Sequence, residues 1–125
     1  MYYSTKILIS LDIPSVEVEP TGPVSEEEEV DVKLHCAVIN GNPKTLTHVI
    51  WYKSGQLLKE QPDPELCSNG NNEDAKCQND PAVLALERVT REDMAHYSCI
   101  GTNIAGKGEI SEETFFNVQC KEVEC

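Results

Sequence analysis

The sequence feature that most constrains the fold is residues 84–99, LALERVTREDMAHYSC. Apolar and polar residues alternate over residues 95–99, which is typical of a half-buried strand, an apolar run at 84–86 begins the stretch, and a charged segment separates the two ends. The stretch therefore predicts one strand, a corner and a second strand. Because successive side chains of a strand point to opposite faces, Tyr97 and Cys99 share one face of the second strand. A tyrosine two residues before a cysteine fits a tyrosine corner, in which the phenol hydrogen-bonds to nearby backbone.

Further strands are indicated upstream of this stretch. Residues 30–38 carry an apolar side chain at every second position, which is typical of a half-buried strand. The apolar positions are Val30, Val32, Leu34, Cys36 and Val38, and the polar positions between them include Asp31, Lys33 and His35. Trp51 lies in another predicted strand, residues 47–53, which a short turn connects to a strand at residues 56–59. Residues 40–43, Asn-Gly-Asn-Pro, have the composition of a turn.

The rest of the chain predicts three more strands and a long polar loop. The strands are residues 15–19 with Val16 and Val18 inward, residues 83–88 with Leu84 and Leu86 inward, and residues 109–119 after a hairpin at 103–108. Residues 60–81 are rich in proline, asparagine, aspartate and glycine, so we expect a loop that replaces or shortens a strand. The four consecutive glutamates at residues 26–29 repel one another and should stay hydrated in a turn.

Four segments together resemble the immunoglobulin superfamily, and more narrowly its intermediate, or I-set, domains. They are VDVKLHCAVINGNP (residues 30–43), VIWYKSGQLL (49–58), LALERVTREDMAHYSC (84–99) and TNIAGKGEISEETFFNV (102–118). The resemblance implies an all-β fold, a two-sheet antiparallel Greek-key sandwich. It also implies a disulfide between Cys36 and Cys99 across the two sheets, with Trp51 packed on it. The predicted core residues are Trp51, Tyr97, Leu34, Leu84 and Leu86.

We expect one immunoglobulin-like domain at residues 15–119, flanked by two short segments. Residues 7–13 alternate and then meet Pro14, which should end a strand. Residues 1–14 are therefore interpreted as an N-terminal arm or as the tail of the last strand of a preceding domain, with a disordered leader as the alternative. Residues 120–125 are interpreted as a C-terminal linker or tail.

Charge and cysteine content limit the possible partners and the compartment. A net charge of −12 and a pI near 4.5 argue against nucleic-acid binding and direct membrane insertion, because nucleic acids and anionic membranes attract basic surfaces. Six cysteines without a CxxC motif indicate an oxidising compartment, so we expect an extracellular protein, at the cell surface or secreted. No apolar run is long enough for a secretory signal or a membrane span. We therefore expect the sequence to be a fragment whose export signal lies outside it.

The four cysteines other than Cys36 and Cys99 leave several pairings open. Cys67 and Cys77 suggest a local pair that closes the polar loop. Cys120 and Cys125 could pair with each other, reach back to the domain, or bond a neighbouring domain or chain. These spacings, without a companion histidine, fit zinc poorly, and we expect no metal and no other cofactor. The sequence has neither a nucleophile motif nor a phosphate-binding glycine loop, so we expect no enzymatic activity.

The outward residues of two neighbouring strands suggest an interface. The resemblance implies that the strands carrying Trp51 and Cys99, strands C and F of the family, lie side by side. The candidate interface consists of their outward residues His48, Ile50, Tyr52, His96 and Ile100. The apolar members would form a cluster typical of interface hot spots, on the outer face of the C-F-G sheet that I-set adhesion domains often use. The alternative is an ordinary sheet surface.

These observations favour a non-enzymatic protein-recognition module in the ectodomain of a cell-surface adhesion molecule or receptor. Its partners would be an extracellular protein and adjacent immunoglobulin-like domains of the parent chain. A heterophilic partner is favoured over a second copy because like charges repel. One alternative is a secreted immunoglobulin protein that binds and sequesters a peptide hormone or growth factor. Another is an intracellular sarcomeric I-set domain of the titin type, against which Cys67 and Cys77 argue.

Overall fold

The computed structural model describes residues 10–67 and 77–120. In these ranges the chain forms ten β-strands and no α-helix, and hence no helix long and apolar enough to cross a membrane. The strands are β1 (Asp12–Val18), β2 (Val24–Ser25), β3 (Val32–Asn42), β4 (His48–Lys53), β5 (Gln56–Gln61), β6 (Val83–Leu86), β7 (Ala95–Asn103), β8 (Gly106–Lys107), β9 (Thr114–Phe116) and β10 (Val118–Gln119). Short 3-10 helices occupy Glu26–Glu28 and Arg91–Asp93.

The strands form two sheets and one additional parallel pair. The first sheet has the order β1-β3-β6, and the second has the order β5-β4-β7, with β8 and β9 pairing with β7 at different points. Neighbours within both sheets are antiparallel, whereas β10 pairs in parallel with β2. In the register of the strands, Leu34 lies opposite Leu84 and Trp51 lies opposite Cys99. The predicted all-β sandwich is confirmed.

The core lies between the two sheets and contains a disulfide that joins them. Cys36 of β3 is bonded to Cys99 of β7, with the Cα atoms 6.2 Å apart. Trp51, opposite Cys99 in the register, is 0% exposed. The other predicted core residues are Tyr97, Leu34 and Leu84, which are buried, and Leu86, which is half-buried. Each fully buried large side chain contributes about 1.5–3 kcal/mol, so this layer supplies most of the driving force for folding.

The first strand shows that the prediction of a strand end at Pro14 is wrong. β1 begins at Asp12 and continues through Pro14, which is fully buried, while Val16 and Val18 point into the core as predicted. A proline is tolerated here because β1 is an edge strand and its register with β3 is irregular at this point. The assignment of residues 1–14 to an arm or a preceding domain falls mainly on residues outside the described ranges and stays a prediction.

The prediction of a turn at residues 40–43 is also wrong. β3 continues to Asn42, which pairs with Asp12 of β1. Gly41 permits this pairing because its φ is 137°, a conformation that favours glycine. A Cβ atom at Gly41 would come within 2.9 Å of the Pro14 Cα atom. Pairing with a distant strand therefore decides the conformation of residues whose composition is typical of a turn.

The predicted last strand, residues 109–119, is interrupted. β9 pairs with β7, but β10, which begins only two residues after β9 ends, pairs with β2 instead. Residues 108–113 form no strand, although the Ser111 N–H still donates to the Cys99 carbonyl oxygen at 2.8 Å. The chain thus changes its pairing partner at Asn117, and β10 lies against β2.

A loop connects β5 to β6, as the polar composition of residues 60–81 predicts. β5 is longer than predicted and ends at Gln61, whose side-chain amide donates to the carbonyl oxygens of Pro81 and Val83 at 2.9 Å. Residues 62–67 and 77–82, the described parts of the loop, contain no strand. β6 is therefore an edge strand of its sheet within the described residues.

Candidate recognition surface

The strand that carries much of the candidate interface starts at a tyrosine corner. The Tyr97 hydroxyl donates to the Asp93 carbonyl oxygen at 2.5 Å. Asp93 ends a 3-10 helix whose capping box joins the Asp93 carboxylate to the Thr90 N–H at 2.8 Å. Burial and the negative charge of Asp93 raise the pKa of Tyr97 to about 12. The corner fixes the start of β7, and with it the direction of the outward side chains that follow.

The register of β4 and β7 brings the predicted interface residues onto one surface. Because Trp51 and Cys99 point into the core, their neighbours along the strands point outward. Ile50 lies directly opposite Ile100 in the register. The face that carries His48, Ile50, Tyr52, His96 and Ile100 is called the outer surface below. Its three apolar members are half-buried, whereas both histidines are exposed.

Sequence reasoning missed two exposed apolar residues on the outer surface. Leu57 of β5 lies opposite Tyr52 and is 65% exposed. Phe115 of β9 lies opposite His96 and is 47% exposed. A signal for Phe115 was present, because strand alternation allows only one of the adjacent residues Phe115 and Phe116 to point inward. Leu57 follows a turn and precedes a break in the register with β4, so alternation did not assign its face.

One end of the outer surface combines two rings and a carboxylate. The centroids of the His96 and Phe115 rings are 4.9 Å apart, and the ring planes are tilted by 47°. The Glu113 Oε2 atom lies 3.8 Å from His96 Nδ1. Glu113 directly precedes β9, and its contact with His96 places it on the same face as Phe115. These three residues are called the His96 cluster below.

The outer surface also carries charges at its edges. Glu60 of β5 lies opposite Ile50, and Lys107 of β8 lies opposite Thr102. The Lys53 Nζ atom donates to the Glu92 carbonyl oxygen at 2.6 Å, so this lysine is bound at the end of the sheet. The apolar centre is therefore bordered by Glu60 and by the carboxylate of the His96 cluster.

Two grooves lie near the β5–β6 loop. One, of about 240 Å³, adjoins the outer surface and is lined by His48, Glu60, Pro62, Asp63, Pro64 and Cys67. The other, of about 470 Å³, lies between residues 44–46 and 78–82. Across residues 10–67 and 77–120, no three His, Cys, Asp or Glu side chains are grouped so that they could hold a metal ion. Within the described residues, neither groove is therefore lined by a group of side chains that could hold a metal ion.

The other cysteines in the described part of the chain, Cys67, Cys77 and Cys120, are also oxidised. Cys67 and Cys77 are joined, with their Cα atoms 5.6 Å apart, which closes the β5–β6 loop next to His48. Cys120 is disulfide-bonded, but Cys125 lies outside the described residues, so the pairing of these two stays a prediction. Among the described residues, no cysteine is free.

Comparison with known proteins identifies the family. A protein-family model described as the immunoglobulin domain matches residues 13–103 of this chain. The all-β sandwich and the disulfide between its two sheets agree with this match. The chain therefore belongs to the immunoglobulin superfamily.

Individual relatives resemble this chain over most of its length. B-cell receptor CD22 of Mus musculus is 27% identical in an alignment of 118 residues that covers 88% of this chain and 12% of the relative. Junctional adhesion molecule B of Homo sapiens is 30% identical over 101 residues, which are 81% of this chain and 31% of the relative. The solved structure of the tandem Ig repeats of Dlar has a TM-score of 0.56 at 19% identity, covering 90% of this chain and 51% of that one.

These relatives are longer than the part that matches. The chain spans 12% of the length of the first and 31% of the length of the second. One relative is named a receptor and the other an adhesion molecule. Their names support a recognition module as the general class of this domain.

Proposed function

We propose that this domain is a non-enzymatic, extracellular recognition module that binds a protein partner through the outer surface. The observation that carries the proposal is a row of apolar side chains that runs from β5 across β4 to β7. The row consists of Leu57, Tyr52, Ile50 and Ile100, and Phe115 of β9 is a further exposed apolar residue on the same face, opposite His96. Aromatic and aliphatic side chains with a polar border are typical of the centre of protein interfaces.

The outer surface is held in place by the core beneath it. Trp51 and Cys99 lie between its outward residues, and both are completely buried. The Cys36–Cys99 disulfide connects the sheet to the other layer, and the tyrosine corner fixes one end of β7. A rigid surface loses little conformational entropy on binding, which favours affinity for a partner of matching shape.

The proposed compartment and type of partner follow from the disulfides and the charge. Cys36–Cys99 and Cys67–Cys77 are characteristic of an oxidising compartment, which favours an ectodomain over an intracellular sarcomeric domain. A net charge of −12 repels a second copy of the same chain. We therefore expect a heterophilic partner with a neutral or basic binding surface.

The proposal is tested with tetramers of the 125-residue chain applied to cells that each display one extracellular protein. Leu57→Glu places a carboxylate in the apolar row without changing a buried residue, since Leu57 is 65% exposed. The matched control is Ile39→Glu, because Ile39 is 58% exposed on β3 of the other sheet. Loss of an interface hot spot corresponds to at least ~2 kcal/mol, or roughly 30-fold in affinity.

We expect the wild-type chain and Ile39→Glu to stain the same partner-displaying cells, while Leu57→Glu stains them at least about tenfold more weakly. Circular dichroism checks that both variants keep the fold. Equal loss of staining in the two variants, or full staining with Leu57→Glu, would show that the partner binds elsewhere. No staining of any displayed protein by the wild-type chain would count against the recognition function.

A further inference from the structure

We propose that the His96 cluster binds the guanidinium group of an arginine side chain that a protein partner presents to the outer surface. This inference rests on the proposed function, because it assigns part of the partner's chemistry. It is carried by the arrangement of two aromatic rings on β7 and β9 and one carboxylate from the residue that directly precedes β9. The Glu113 carboxylate lies 3.8 Å from the His96 ring, whose centroid lies 4.9 Å from that of Phe115.

The three side chains offer the two contacts that a guanidinium group makes best. A carboxylate accepts two parallel N–H groups from the planar fork of arginine. An aromatic face attracts a cation that lies within about 6 Å of the ring centroid. Glu113 supplies the carboxylate, and His96 and Phe115 supply adjacent rings. One guanidinium can therefore bond to Glu113 at its edge while its plane covers a ring.

All three members of the cluster are accessible to a partner. The side chains of His96 and Glu113 are 56% and 54% exposed, and Phe115 is 47% exposed. Lys53 lies opposite Tyr97 in the register, next to His96, but its ammonium donates to the Glu92 carbonyl oxygen. The carboxylate of Glu113 contacts the imidazole of His96, a weak partner that an arginine can replace.

Arginine fits the cluster better than the alternatives. Lysine is a strongly hydrated point charge, and it can neither bond a carboxylate in bidentate fashion nor stack on a ring. A metal ion needs a further ligand, and the described residues contain no group of three ligands suited to one. The net charge of −12 attracts basic surfaces in general, and the His96 cluster would bind one basic side chain of such a surface at a specific position.

The position of the cluster predicts the geometry of the partner. His96 and Ile100 are four residues apart on β7, which corresponds to about 13 Å along the strand. The partner would therefore place an apolar group over Ile50 and Ile100 and an arginine at about that distance. Such an arginine would contribute specificity at one edge of an interface whose centre is apolar.

The test is an NMR titration of the folded 125-residue chain with N-acetylarginine amide. The imidazole signals of His96 and the ring signals of Phe115 report binding at the cluster. N-acetylcitrulline amide, which has nearly the same shape but no charge, is the ligand control. Glu113→Gln removes the carboxylate, and Glu112→Gln is the matched variant, since Glu112 is the exposed neighbour in the chain.

We expect a saturable shift of both sets of signals with the arginine compound and none with the citrulline compound. Loss of a charge-assisted hydrogen bond should weaken binding roughly tenfold in Glu113→Gln, while Glu112→Gln binds within about twofold of the wild type. Phe115→Leu should weaken binding about two- to fivefold, the size of an exposed cation–π contact. Backbone spectra that stay close to the wild type show that these surface variants are folded.

Two results would overturn the arginine site. One is an equal shift with the citrulline compound. The other is an equal effect of Glu112→Gln and Glu113→Gln, which would mean that arginine binds the acidic surface without a preferred position. If either occurs while Leu57→Glu still abolishes partner staining, the arginine site is wrong and the recognition surface stands. If Leu57→Glu has no effect, the titration still decides the arginine site separately.

Discussion

Replacing Tyr97 with phenylalanine removes a single hydroxyl from the tyrosine corner and leaves the buried ring in place. The hydroxyl donates to the Asp93 carbonyl oxygen at 2.5 Å, and Tyr97 is buried. A typical intramolecular hydrogen bond contributes about 0.5–1.5 kcal/mol net, and a buried acceptor left without a donor costs about 1–3 kcal/mol. We therefore expect Tyr97→Phe to lower the free energy of unfolding by about 1.5–3 kcal/mol at pH 7.

The raised pKa of Tyr97 gives this prediction a pH dependence. The phenol titrates near pH 10 in the unfolded chain and at about 12 in the folded chain. A raised folded pKa means that the contribution to stability is fully present below pH 10 and is lost as the pH rises to 12. A difference of about two pKa units corresponds to roughly 3 kcal/mol. The wild type should lose that amount between pH 10 and 12 relative to Tyr97→Phe, so the two stabilities should converge near pH 12.

Urea unfolding at several pH values between 7 and 12 measures both effects, with fluorescence of the single tryptophan, Trp51, as the probe. Tyr52→Phe is the matched control, because the Tyr52 hydroxyl has no hydrogen-bond partner among the described residues. It should change the stability by less than about 0.5 kcal/mol and leave the alkaline slope as in the wild type. Parallel curves for the wild type and Tyr97→Phe above pH 10, or a loss below about 0.5 kcal/mol at pH 7, would refute the role assigned to the corner.

Two further substitutions test the contacts of β1. Gly41→Ala should destabilise the fold by about 1–3 kcal/mol in urea unfolding, because the φ of Gly41 is 137° and the Pro14 Cα atom would lie 2.9 Å from the new methyl group. The control Gly22→Ala should change the stability little, because the new methyl group would meet nothing within 4 Å. Asn103→Ala should lower the free energy of unfolding by about 2–3 kcal/mol, because the buried amide donates to two backbone carbonyl oxygens and accepts from two N–H groups. The control Asn42→Ala removes one exposed hydrogen bond and should lower it by under about 1 kcal/mol. Equal losses in the two variants would contradict the role assigned to Asn103.

Much of the candidate surface could be predicted from local patterns. Alternation along residues 95–103 separated the inward Tyr97 and Cys99 from the outward His96 and Ile100, and the structure has the same division. Residues that alternation did not assign were missed. Leu57 lies beside a break in the register with β4, and Phe115 lies in a strand that the structure interrupts on both sides. Each of these faces depends on a pairing partner that is distant in the chain.

The sequence by itself determined the inward residues of the central strands, and its resemblance to the immunoglobulin superfamily implied the fold class and the family. The inward residues depend on the period of a strand and on residue types, and the resemblance depends on short motifs; all of these are local. Only the tertiary structure decided that residues 40–42 continue β3, that the chain changes partner between β9 and β10, and that Phe115 and Glu113 lie beside His96. Each of these depends on which distant backbone groups form hydrogen bonds, and composition near the residue itself does not determine that choice.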